Sequence, residues 1–285
     1  MPEGVNETWL RIGVFAAVFA VLAGVELLRP RRALSADKGR RWLTNLSIVA
    51  IDSLVVRVMG ALAVPVTAVA AAMFASTHGL GLLNRIDLPA WVEILVALIA
   101  LDLAIWLQHV ASHKIPLLWR LHQMHHADVD IDVSTAIRFH PVEIALSILW
   151  KIVCVVLLGA APAAAVLFEI ILNAGAMFSH ANIALPRAVD RALRRLVVTP
   201  DMHRVHHSVI GREHNSNYGF NLAVWDRMFG TYTPDPEGGQ IGMTIGLDAY
   251  QSAAPTRLWW SLMLPFDPRG NAETRPSGGG PVEGA

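Results

Sequence analysis

Apolar residues run in long stretches over 9–28, 43–75, 88–108, 141–160 and 162–180, with polar and charged residues gathered between them. About 20 apolar residues in a helix cross the hydrocarbon layer of a bilayer, so these stretches predict transmembrane helices. Glu26 stands near the end of the first, and Arg57 and Pro65 fall inside the second, which is long enough to kink or tilt. The fourth and fifth are parted only by the break from Gly159 to Pro162, which predicts a hairpin that dips in and returns. The pattern therefore reads as an all-α integral membrane protein of about four transmembrane helices, one of them a re-entrant-like pair. Residues 1–87 hold the N-terminal transmembrane helices. The polar segment 186–250 is expected to cap one membrane face. Residues 251–267, with Trp259, Trp260 and Phe266, read as an interfacial helix. Residues 268–285, rich in Gly and Pro, read as a disordered tail.

Charge adds a direction. Arg29, Arg31, Arg32, Lys38, Arg40 and Arg41 follow the first stretch, and Arg187, Arg191, Arg194 and Arg195 follow the last. Basic residues in short loops mark the cytoplasmic side, which puts the N-terminus and the loop 76–87 on the other. The chain is 54% hydrophobic and 16% charged, against roughly 25% charged in soluble domains. A formal net charge of +0 leaves no basic field for nucleic acid. The single cysteine, Cys154, excludes an intramolecular disulfide and a cysteine-ligated cluster. The acidic start, Glu3 and Glu7, does not resemble the basic opening of a secretory signal.

Eight of the twelve histidines fall into three clusters: His109 and His113; His122, His125 and His126; His203, His206 and His207. All three stand at or just beyond the ends of apolar stretches, on the side that charge marks as cytoplasmic. Neutral imidazole suits iron and zinc. Eight imidazoles are too many for one ion and point to a two-metal centre at the membrane surface. Positions i and i+4 share a helix face, so His109 and His113 can grip one ion, with Asp102 on the same face as a candidate to accept a ligand N–H. In each H-x-x-H-H the first two histidines are expected to share a face and the third to point about 100° away, giving each ion four ligands. His140 precedes Pro141, a helix start, and is a candidate contact near the site. Glu169 and Asn173 lie deep in the fifth stretch, where ionisable groups are costly; they are expected either in a structural pairing with an arginine or asparagine or, the reading preferred, beside the site. Asp128, Asp130 and Asp132 could orient imidazoles but read first as an exposed acidic turn; Asp201 reads as a helix N-cap, Asp226 as an anchor bonded to a histidine or arginine, and His78 and His214 as bystanders. The ligands of a metal transporter would sit near mid-membrane, and these do not. No nucleophilic serine motif, phosphate loop or dinucleotide fingerprint is present.

The runs KIPLLWRLHQMHH (114–126), TPDMHRVHH (199–207) and NYGFNLAVWDRMFGT (217–231) closely resemble the fatty acid hydroxylase superfamily, which includes sterol desaturases, over about Asp102 to Thr231. In style the chain is similar to bacterial members. The resemblance implies that 88–250 is a catalytic domain whose eight clustered histidines are catalytic and hold two Fe ions. Zinc could take their place on purification. It also implies a ninth metal ligand at His180, which the returning hairpin would bring to the same interface. O2 would be the co-substrate and a sterol, fatty acyl or ether lipid the substrate. Hydroxylation is the expected outcome, with desaturation on the same site or metal transport as alternatives. The remaining length leaves no room for a fused redox domain, so the electron donor would be separate: a ferredoxin or a cytochrome b5-like protein with its reductase. The implied location is a bacterial inner membrane, with the site facing the cytoplasm.

Overall fold

The computed structural model describes residues 7–62 and 67–267. Glu3, Pro65 and the tail 268–285 lie outside the described residues. In chain order the helices are α1 (Glu7–Leu28), α2 (Lys38–Ala61), α3 (Ala68–Thr77), α4 (Ala90–Lys114), α5 (Pro116–His126), α6 (Pro141–Leu158) and α7 (Pro162–His180). Shorter helices follow: α8 (Arg187–Leu193), α9 (Pro200–His206), α10 (Gly211–His214), α11 (Val224–Met228), α12 (Gly239–Gly242) and α13 (Leu258–Met263). No strand forms among the described residues, only isolated bridges.

Local chemistry sets the boundaries. Asp37 caps α2 by accepting the Arg40 N–H at 2.7 Å, and Thr67 caps α3 through Ala70. Helices α5, α6, α7 and α9 each open on a proline in the first turn, where its missing N–H costs nothing. Gly159, at φ +71°, ends α6 in the left-handed conformation that glycine adopts freely. The apolar stretch 43–75 is not one tilted span. It divides into α2 and the short α3.

Five helices, α1, α2, α4, α6 and α7, are long and apolar enough to cross a membrane. Their outward faces carry exposed Leu10, Ile12 and Val21 on α1, Leu95 and Ile99 on α4, and Leu149, Val153 and Leu157 on α6. Such faces are stable where hydrocarbon, not water, surrounds them, and the chain is a multi-pass membrane protein. Helix α7 packs against α1, α3 and α4, while α3 lies against both α6 and α7. Their contact is built from Ala71, Ala72, Ala97, Ala164 and Ala165 with Leu101 and Phe168. Small residues let helix backbones approach closely in a setting where hydrophobicity drives little helix association.

At one end of the bundle the loop after α3 seals the α6–α7 hairpin. Leu82 N–H donates to the Leu157 carbonyl at 3.1 Å. A Cβ on Gly81 would stand 2.2 Å from the Gly159 nitrogen, so only glycine allows this approach. Helix α4 leaves that end and α7 returns from it. Lys114 and His180 therefore meet at the other end, where α5 and the segment 181–266 gather.

Candidate metal centre

Four elements converge there. The last turns of α4 carry His109 and His113, and α5 carries His122, His125 and His126. His180 ends α7, and α9 with its C-cap carries His203, His206 and His207. None of the nine is more than 7% exposed. Their ring nitrogens form two groups, each with its ligand atoms within 4.8 Å of one another: His109, His113, His122, His126 and His206; and His125, His180, His203 and His207. The groups share a wall, with the His126 and His207 rings 4.5 Å apart and nearly parallel.

The partition differs from the expected one. In both H-x-x-H-H motifs the first and third histidines stay together and the middle one crosses to the other group. Helical geometry gives the reason. At 100° per residue, i+4 returns to within about 40° of position i, whereas i+3 stops about 60° short. The groups consequently hold five and four imidazoles, with His180 completing the second.

Hydrogen bonds fix which nitrogen is free. The Nδ1–H of His109 donates to the Tyr218 carbonyl at 2.7 Å, that of His206 to Ser216 at 2.6 Å, that of His180 to Ala176 at 2.7 Å and that of His125 to Arg138 at 3.2 Å. A carbonyl only accepts, so Nδ1 carries the hydrogen and Nε2 of a neutral ring is a bare lone pair. His122 is held likewise through Nδ1 to the Glu143 carboxylate at 2.6 Å. These lone pairs face one another. Nε2 of His206 and His109 are 3.0 Å apart, and those of His180 and His125 are 3.1 Å apart. Two lone pairs cannot bond each other without a proton or cation between them. Burial, reinforced by the neighbouring imidazoles, holds His125, His126, His203, His206 and His207 well below the usual histidine range, which disfavours the proton. Neither ring nitrogen of His113, His126 or His207 has a hydrogen-bond partner. Buried, unpaired, convergent nitrogen donors of this kind are the chemistry of a transition-metal site.

Aromatic rings close it. Phe139 stacks on His125 at 4.5 Å and 7°, Trp119 lies 5.1 Å from His113, and Phe220 lies 5.1 Å from His109. His214 belongs to neither group of candidate ligands but is buried against the first: its ring lies 4.4 Å from His126 and 4.9 Å from His113, and burial, with the neighbouring His122 imidazole and the charge of Lys114, pushes it down to about 3. His78 is exposed beside the opposite-end loop.

Several other expectations need correction. Asp102 reaches no imidazole. It accepts from Asn221, from the Leu222 N–H and from Trp225 Nε1, and so clamps the segment 217–226 onto α4. Asp226 holds that segment from inside, accepting from the Tyr218 and Gly219 N–H groups, Trp106 and Thr231 rather than from a histidine or an arginine. Its effect on the site runs through Tyr218, whose carbonyl orients His109. His140 caps α6 through the Val142 N–H, and its Nε2 lies 3.2 Å from the Leu262 carbonyl. Of the two readings for Glu169 and Asn173 the structural pairing holds rather than the place beside the site: Asn173 donates to the Glu169 carbonyl, and Glu169 pairs with Arg11 of α1 within the helix bundle. Thr199, not Asp201, caps α9; Asp201 pairs with Arg31 and Arg204.

Asp128, Asp130 and Asp132 are buried rather than exposed. Arg41 donates to Asp128 at 2.7 and 2.8 Å and to Asp132 at 2.7 Å, and Asp130 accepts the Ser35 and Ala36 N–H groups. The fully buried Arg138 ties the Met124 carbonyl to Asn45, Pro255 and Ser261. Sequence reading passed over Glu143 and Arg138 and took Arg41 only as a loop charge. Glu143 had a signal, an acid in the first turn of an apolar helix. The main-chain carbonyls had none.

Residues 94–231 match the fatty acid hydroxylase family. Over 158 residues the chain is 28% identical to ornithine lipid hydroxylase OlsE of Rhizobium tropici, covering 55% of this chain and 47% of that protein. It is 27% identical over 156 residues to alkylglycerol monooxygenase of Xenopus tropicalis, covering 54% of this chain and 33% of that one. With alkylglycerol monooxygenase of Homo sapiens it shares 26% over 159 residues, covering 54% and 34%. The matches thus span half or less of these relatives. No solved structure matches the chain.

Proposed function

We propose that the chain, whose residues 94–231 match the fatty acid hydroxylase family, is a member of that superfamily and a membrane-bound, O2-dependent lipid hydroxylase whose two histidine groups hold two Fe ions. The observation that carries the proposal is the set of buried, neutral Nε2 lone pairs facing one another at 3.0–3.1 Å, with their Nδ1 atoms tied back to protein acceptors. Such rings are poised to bind metal and poorly placed to do anything else. Iron held there would supply O2 activation and the oxidising power that an unactivated C–H bond requires. Zinc suits the same donors, so a zinc-loaded preparation does not count against the reading.

The protein's share of the work is positioning and exclusion of water. Five Nδ1 anchors hold their rings at fixed angles, and Trp119 and Phe139 cover imidazole faces from solvent. Phe220 touches His109 and also packs against the apolar clusters of α1–α7 and of α3, α4, α6 and α7. It joins the site to the hydrocarbon-facing bundle, and an alkyl chain entering from the bilayer would meet the site there. A lipid substrate is further supported by relatives whose names state lipid substrates. Hydroxylation places one oxygen atom of O2 in the lipid and reduces the other to water, so two electrons must come from outside. A separate ferredoxin or cytochrome b5-like protein with its reductase fits that need. The basic segments around Arg31 and Arg191, at the histidine end, support a cytoplasmic site in a bacterial inner membrane.

The test is reconstitution of the purified chain with iron, a reductase system and candidate sterols, acyl lipids and ether lipids under 18O2. We expect two irons per chain and a product carrying one labelled oxygen. Product formed without O2, or an unlabelled hydroxyl, would overturn the reading. A double bond in place of a hydroxyl would make the same centre a desaturase.

A further inference from the structure

Where α1 ends and the chain turns towards α2, a cavity of about 210 Å³ opens, separate from the histidine groups. Glu26 is 3% exposed and lines it. Its Oε1 accepts two main-chain N–H groups, from Val133 at 2.8 Å and Asn182 at 2.7 Å, while its Oε2 is buried with no hydrogen-bond partner. Arg32 lines the same cavity. Its main chain is pinned by Asn182, whose Oδ1 accepts the Arg32 N–H and whose amide donates to the Arg32 carbonyl, and its Nη1 donates to Met243. Its Nε is buried without a partner. Lys38 also lines the cavity. Asp132, the other acid in the wall, is committed to Arg41, Trp42 and Ser134.

The cavity wall therefore holds Glu26, one of whose carboxyl oxygens has no partner, together with the cationic side chains of Arg32 and Lys38. A buried carboxylate oxygen without a partner is costly, and a hydrated surface niche would not arrange two main-chain donors to aim it. Leu27 and Leu34 form the apolar part of the wall, and Leu27 and Leu28 are exposed where α1 leaves the membrane region. A ligand that satisfies all of this carries a primary ammonium for Glu26, an anionic oxygen group for Arg32 and Lys38, and acyl chains that leave over the end of α1.

We propose that this cavity is a headgroup site for a zwitterionic lipid bearing a free ammonium. Glu26 is the selecting group, because a quaternary ammonium has no N–H to give it and a purely anionic headgroup has no cation. Asn182 stands two residues beyond His180, so the site and the second histidine group share a short segment. The role of the bound lipid as substrate rests on the hydroxylase reading; binding does not.

The purified full chain in detergent, titrated by native mass spectrometry, tests this. The probes are phosphatidylethanolamine, an aminoacyl lipid with a free ammonium and carboxylate, phosphatidylcholine and phosphatidylglycerol. One charge-assisted hydrogen bond to the ammonium should favour the first two over the last two by about tenfold. Preference for the phosphate-bearing or the carboxylate-bearing lipid identifies the anionic half. Glu26→Gln keeps the shape and the two main-chain bonds but removes the charge, and should erase the ammonium preference. Equal binding of phosphatidylethanolamine and phosphatidylcholine by the unaltered protein overturns the site without recourse to any variant. So does a preference that survives Glu26→Gln. Headgroup selection without turnover would strike the hydroxylase reading and leave this site standing.

Discussion

At the scale of the residue, the chemistry of the centre lies in what holds the far side of each ring. Glu143 and four main-chain carbonyls fix five imidazoles by Nδ1 and leave Nε2 free. Partners of this sort typically carry about 10–100-fold in metal affinity. Glu143→Ala should lose about that much in a competitive chelator titration, and Glu143→Gln, which still accepts the His122 N–H, should recover most of it. Protonation works on the same atoms. His214 in the unfolded chain takes up a proton near the ordinary value of 6.5, but in the folded chain only near 3. The unfolded state therefore binds more protons across that window, and stability rises with pH through it. The metal-free protein should be most stable above about pH 6.5 and lose stability progressively as pH falls towards about 3. Thermal melts in detergent across that range measure this, and a melting temperature that does not fall would contradict the buried, neutral state. Metal should be released over the acid part of the same window, because protons compete for the ligand nitrogens.

At the scale of the element, the loop from Ala127 to His140 supports α5 from beneath, and it does so with buried charge. Arg41 reaches from α2 to Asp128 and Asp132, and Arg138 binds the main chain of α5 at Met124. A buried ion pair adds little compared with an apolar replacement of both partners, but removing one partner strands the other. Arg41→Met should therefore destabilise the protein by about 3–5 kcal/mol, read as a lowered melting temperature. Replacing Arg41, Asp128 and Asp132 together by apolar residues should recover much of the loss. If the single variant melts like the unaltered protein, the cluster is not what holds the loop.

At the scale of the whole molecule, the bundle is a frame with two ends. Glycine contacts close one, and the histidine groups with their cap occupy the other. The short α3 fills the space between α6 and α7, and those two with α4 bring the ends of α4 and α7 to one level. Orientation follows as a prediction. A cysteine at Arg212, exposed on the capped end, should react with a membrane-impermeant maleimide only from the cytoplasmic side in a Cys154→Ala background. A cysteine at His78 should react from the opposite side. Reversed labelling would invert the topology and move the basic segments outside.

The apolar spacing by itself determined the all-α membrane class and nearly every long helix, because 20 apolar residues in succession have few other places to go. It misjudged 43–75, since composition there does not distinguish one long helix from a helix followed by a separate shorter one. Histidine spacing placed eight imidazoles at one end of the bundle, and the family resemblance, with a hairpin that returns there, added His180. Which imidazole joins which group was decided only by tertiary structure: α4, α5, α7 and α9 approach from different directions, and a 40° or 60° offset on each selects the partner. The anchors lay further still from view. A carbonyl oxygen at Tyr218, Ser216 or Ala176 has no side-chain signature, and the exposed turn expected at Asp128–Asp132 became a buried cluster only because Arg41, some ninety residues earlier, folds back to neutralise it. Charge on the chain reads as surface until the partner is in place, and only the packed structure supplies the partner.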